Sequence, residues 1–167
     1  MSEDIVKTFH VLLQNEIVSL KECGRLTDLL KTAVMNRDSL SLKTLLEQLS
    51  DESERLRLIE ERRVEGYARL CRRFSVGETV SFYDLLAFLP GEERNSLTEL
   101  YRELKREVVL YQGRLKNLDD YVYSVTGTVN SVLETYTRQN SGGVYNNNGR
   151  FSAGTGSDRS VFISTEL

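Results

Sequence analysis

From Leu97, strides of four and three residues in turn land on Tyr101, Leu104, Val108, Tyr111, Leu115, Leu118, Val122, Val125, Val129, Val132 and Tyr136, and every stop is apolar or aromatic. A heptad phase that holds over so long a run predicts one long helix carrying a single apolar seam. At 1.5 Å rise per residue such a helix spans about 60 Å. The rest of the chain is therefore expected to be other long helices laid against Leu97 to Tyr136.

The same spacing recurs upstream. Ile5, Phe9, Leu12, Leu13, Ile17, Leu20, Cys23, Leu26, Leu30 and Val34 predict a first helix. Ser2 caps it, and Glu3 and Asp4 suit the positive end of its dipole. The pattern stops at Asn36-Arg37-Asp38, which reads as a tight connection with Asp38 or Ser39 capping the next helix. That second helix is predicted from about Leu40 to Phe74, its apolar side formed by Leu42, Leu45, Leu46, Leu49, Leu56, Ile59, Tyr67, Leu70 and Phe74. After Val76-Gly77-Glu78, Ser81 and Asp84 form a capping-box variant ahead of Leu85, Leu86 and Phe88. That short piece ends at Pro90-Gly91, and the long helix starts near Glu92 or Glu93.

The two halves of the long helix differ. Its outer positions from Leu97 to Leu118 are Glu, Lys, Arg and Gln, all good helix formers. From Tyr121 to Tyr136 they change to Tyr, Val, Ser, Thr and Asn, with Gly127 among them. Each such residue costs up to about 0.7 kcal/mol in a helix, and glycine about 1 kcal/mol. Alternation at Val125, Gly127, Val129 and Ser131 even permits a strand, but the heptad phase passes through without a slip. A helix here must be held by packing, and packing can include a partner.

Beyond Arg138 the pattern dissolves into Gln139-Asn140-Ser141-Gly142-Gly143 and Asn146-Asn147-Asn148-Gly149. A flexible polar tail is expected from 139 to 167, interrupted by Tyr145, Phe151 and Val161-Phe162-Ile163. The expected fold is thus all-α: an antiparallel bundle of three long helices over residues 1–138, one short connecting helix, and a disordered C-terminal tail.

Composition agrees with long helices, with one proline, no tryptophan and 28% charged residues. A net charge of −3 gives no pull toward phosphate backbones, and the arginines of the second helix are interleaved with acids, so no nucleic acid partner is expected. No apolar run reaches spanning length, and Ser2-Glu3-Asp4 is acidic where a signal peptide is basic. A cytoplasmic protein with no membrane insertion is expected. Cys23 and Cys71 with His10 cannot build a closed zinc site, so all three read as seam residues and no metal or other cofactor is expected. No phosphate-binding loop, nucleophile elbow, dinucleotide fingerprint or paired Glu-x-x-His occurs, so no catalytic residue is assigned and no enzymatic role is expected.

Three features in order carry a resemblance. They are a helical hairpin joined at Asn36-Arg37-Asp38-Ser39-Leu40, an Asn/Ser/Thr-rich apolar seam from Tyr121 to Tyr136, and a tail element Tyr145-Asn-Asn-Asn-Gly149. Over residues 1 to about 150 the chain resembles the FlgN-type flagellar export chaperones, although its tail past Phe151 is longer than expected. The resemblance implies a cytoplasmic chaperone for the hook-filament junction (hook-associated) proteins. Such a chaperone keeps the terminal helix of its client unpolymerised and delivers it to the flagellar export gate. The client would lie on Val122, Val125, Val129, Val132, Leu133 and Tyr136 in the helix-in-groove manner, and Tyr145 and Gly149 would meet the gate. The competing expectations are that these valines pack on the first two helices, or that residues 97–136 form a self-associating coiled coil. The chaperone reading predicts a monomer or weak homodimer, and the coiled coil a stable one.

Overall fold

A computed structural model describes residues 2–77 and 79–140, with side chains described for 5–77 and 79–137. Among the described residues every regular element is helical: α1 (Ser2–Asn36), α2 (Ser39–Arg73), α3 (Phe82–Leu86) and α4 (Gly91–Asn140). The chain divides into two compact units, Met1–Tyr123 and Ser124–Leu167. Of the tail expected to be disordered from residue 139, Gln139 and Asn140 belong to α4, and the remainder, with Tyr145, Gly149 and Phe151, lies outside the described residues.

Both hairpin helices end in the same way. Arg37 adopts φ 57° and Ser75 φ 56°. The amides of Arg37 and Asp38 donate to the carbonyls of Val34 and Ala33, and those of Ser75 and Val76 to Arg72 and Cys71. This paired bonding is the Schellman motif, built on left-handed residues that carry a side chain instead of the usual glycine. Asp38 then caps α2, its carboxylate accepting from the Ser41 amide at 3.1 Å and from the Ser41 hydroxyl at 2.5 Å. Those two bonds hold its carboxyl below the usual aspartate range, the hydroxyl contributing most. Ser81 caps α3, as its spacing to Asp84 predicts.

In the first unit α1 and α2 form the closely apposed pair and pass in opposite directions, with Phe9 beside Tyr67 and Glu16 beside Arg63. α4 runs the same way as α1: His10 meets Ser96, Lys21 meets Glu103 and Lys31 meets Asn117. The two exposed links, Lys21–Glu103 and Lys31–Asn117, fix register more than they stabilise.

The core is centred on α1, which corrects the expectation that the seam starting at Leu97 organises the fold. Val6, Phe9, Leu13, Ile17, Leu20, Cys23, Leu26, Leu30 and Ala33 are all buried. α2 contributes Ile59, Leu70 and Cys71, and α4 contributes Leu97 and Leu104. α1 packs closely along α2 and also meets α4 at His10, Lys21 and Lys31, so its stripe is covered over most of its length. α3 seals one end. Phe82 brings ring contacts from Phe9 of α1, Tyr67 of α2 and Tyr101 of α4, the last at 4.1 Å between centroids. Leu85, Leu86 and Leu89 join it in the core.

Candidate functional site

The seam of α4 changes character along its length. Leu97 and Leu104 are 1% and 4% exposed, Val108 and Tyr111 are half-buried, and Leu115 reaches 38%. Val122, at the end of the first unit, is 41% exposed. In the second unit Val125, Val129, Val132, Leu133 and Tyr136 are all exposed, by 41 to 67%. Successive spacings of four and three place Val125, Val129, Val132 and Tyr136 on one face of the helix, with Leu133 at its edge. No described residue from 122 to 137 is buried or half-buried.

The polar residues of this stretch turn inward on their own backbone. Thr128 donates to the Ser124 carbonyl at 3.0 Å, Thr135 to Ser131 at 2.9 Å and Thr137 to Leu133 at 3.0 Å. Such bonds satisfy the hydroxyls without water and leave less polarity on the surface, at a small cost to the helix. A Cβ added at Gly127 would meet nothing within 4 Å, so no close packing requires that glycine. The only charged side chain from Tyr121 to Thr137 is Glu134.

The first unit also holds polar groups that the sequence reading missed. Glu16, Ser19 and Thr27 are buried on α1. Ser19 donates to Glu52 Oε1 at 2.5 Å, and Thr27 donates to the Cys23 carbonyl at 2.8 Å. Glu16 pairs with Arg63 Nε at 2.5 Å. Burial pushes the Glu16 carboxyl above the usual glutamate range, with Arg63 opposing the shift and Glu60 adding to it. Nothing in a one-dimensional pattern marks Glu16 or Ser19, because each depends on a partner some thirty or more positions away.

Cys23 sits against Tyr111 and Ser53, and burial raises both its thiol and the Tyr111 phenol above their ordinary values. A buried thiol held protonated is a poor nucleophile. Tyr67 donates to the Val80 carbonyl at 2.5 Å, and burial pushes its phenol up to about 12. His10 is half-buried with Nε2 3.0 Å from Ser96 Oγ, which matches its reading as a semi-polar seam residue. Among the described residues no group of three His, Cys, Asp or Glu side chains could hold a metal ion. No described helix is long and apolar enough to cross a membrane.

No family model, curated protein or solved structure matches the chain. The candidate site therefore rests on its own geometry, an uncharged apolar stripe on a helix of low intrinsic propensity.

Proposed function

We propose that the protein is a cytoplasmic export chaperone of the FlgN type. In this reading it holds the terminal helix of a hook-filament junction protein on the stripe at Val122, Val125, Val129, Val132, Leu133 and Tyr136. It then delivers that client to the flagellar export gate, which Tyr145 and Gly149 meet. The reading takes residues 1–138 as an antiparallel bundle of three long helices and 139–167 as a flexible tail. It gives the protein no catalytic role and no nucleic acid partner.

The observation that carries the proposal is the exposure of Val125, Val129, Val132 and Tyr136 in a helix whose residues favour helix poorly. A bare valine stripe of this kind suits an amphipathic helix of another protein. Ordering such a stretch on binding lowers net affinity, which fits a client that must be released. In the full chain, Val125→Asp with Val129→Asp should abolish capture of junction proteins from a motile-cell extract. The melting of the α1–α2 hairpin should stay unchanged. Unaltered capture would remove this surface from the reading.

The same exposure also suits a structural module that self-associates through residues 97–136. Sedimentation separates the two: a stable homodimer at low concentration favours the module, and a monomer or weak homodimer that becomes one-to-one with client favours the chaperone.

A further inference from the structure

We infer that residues 114–122 of α4 form a strap that swings off α1 about Gly113, and that Asp28 and Gly24 of α1 hold it closed through Arg114. The packing of α4 changes at this point. Leu97, Leu104 and Glu107 are buried, whereas no residue from Val108 to Tyr123 is. Along the same length α1 stays buried at Leu26, Leu30 and Ala33. Gly113 stands where the packing of α4 loosens. A Cβ added there would meet nothing within 4 Å, so no neighbour requires the glycine. Glycine disfavours the helical state about fivefold relative to alanine. A weak point in a helix, with looser packing on its far side, is the arrangement of a hinge.

The ties that hold the strap are polar. Arg114 Nε lies 3.3 Å from Asp28 Oδ2, and Lys31 donates to Asn117 Oδ1 at 2.8 Å. Arg114 reaches Asp28 by lying across Gly24: a Cβ on Gly24 would stand 2.1 Å from Arg114 Nη1 and 3.4 Å from its Cδ. Gly24 is thus a recess for the arginine, whereas Gly113 faces open space. The Arg114 and Asp28 side chains are 37% and 60% exposed, so water competes for the pair and it closes the strap weakly. Leu118 and Tyr121, on the same stretch, are half-buried. Opening frees both and lengthens the exposed seam from Val122 back to Leu115, so the apolar face that α4 offers is adjustable. The inference stands whatever that seam binds.

Spin-label distances in the full chain test the strap. Nitroxides at Met35→Cys and Asp120→Cys span it, and a second pair at Val11→Cys and Glu99→Cys spans the packed part of α4; all four positions are exposed. The native thiols Cys23 and Cys71 are buried, so labelling falls on the introduced ones. The distal pair should show a short and a longer distance, and the proximal pair a single one. Asp28→Asn should raise the ratio of longer to short about threefold, the scale of an exposed ion pair. Raising the ionic strength should do the same in the otherwise native chain and nothing in Asp28→Asn. The decisive comparison is between two identical substitutions. Gly113→Ala stiffens the hinge and should lower the ratio about fivefold. Gly24→Ala pushes Arg114 off Asp28 and should raise it about threefold. A single short distal distance that no variant moves would overturn the inference. So would both pairs lengthening together, or the two alanine variants shifting the ratio in the same direction.

Discussion

Removing the arginine beside Glu16 should expose how much the bundle depends on a charge it has buried. The Glu16 side chain is 6% exposed and that of Arg63 22%. Breaking a fully buried pair from one side costs about 3–5 kcal/mol, because the remaining charge is left without compensation. Arg63 keeps partial access to water, so Arg63→Met should cost about 2–3 kcal/mol at pH 7. For a unit of this size that lowers Tm by roughly 6–12 °C.

The pH dependence gives the sharper test. Burial already raises the Glu16 carboxyl, and loss of Arg63 raises it further. A carboxyl whose folded pKa lies above its unfolded value adds stability at low pH and loses it as pH rises through the folded value. The deficit of Arg63→Met relative to wild type should therefore shrink as pH falls from 7.5 toward 5. Urea unfolding at both pH values measures it. Glu16→Leu combined with Arg63→Met removes both charges and should come back to wild-type stability or exceed it. A deficit below about 0.5 kcal/mol at pH 7, or one of equal size at both pH values, would refute the burial argument.

The two left-handed helix ends should be improvable. Ser75→Gly and Arg37→Gly each relieve a positive φ that glycine tolerates freely, and each should raise stability by about 0.5–1 kcal/mol in thermal melts. Tyr67→Phe removes the donor to the Val80 carbonyl and should cost about 1 kcal/mol. Because the Tyr67 phenol is pushed up to about 12, its stabilising effect should persist below pH 10 and be lost as pH rises toward 12. An ultraviolet tyrosine titration should lose its highest transition in Tyr67→Phe.

The periodicity of the chain revealed the elements more readily than their partners. Ser81 and Asp84 marked the start of α3, and Asn36-Arg37-Asp38 marked the hairpin, because capping chemistry is local and leaves its residues adjacent. The bounds moved slightly: α2 ends at Arg73, and α4 opens at Gly91, just before the acids expected to start it. The seam from Leu97 predicted a long helix correctly but suggested the wrong centre. Its apolar positions are as regular at Val129 as at Leu104, yet only the latter is buried. A period reports that one face is apolar and says nothing of what covers it. Glu52, Arg63 and Tyr111 looked like ordinary helix-surface or seam residues because their roles come from residues on α1.

The registry between α1 and α4 has a consequence for biosynthesis. His10 and Ser96, like Lys31 and Asn117, lie 86 positions apart, so during synthesis α1 meets α2 first and the edge of its stripe that faces α4 stays open until α4 has emerged. Pairings of such long sequence separation form late and slowly. Until then the hairpin carries part of its apolar stripe open, a hazard of the kind that recruits holding factors. A protein proposed to shield another's helix must, at birth, have its own helix shielded.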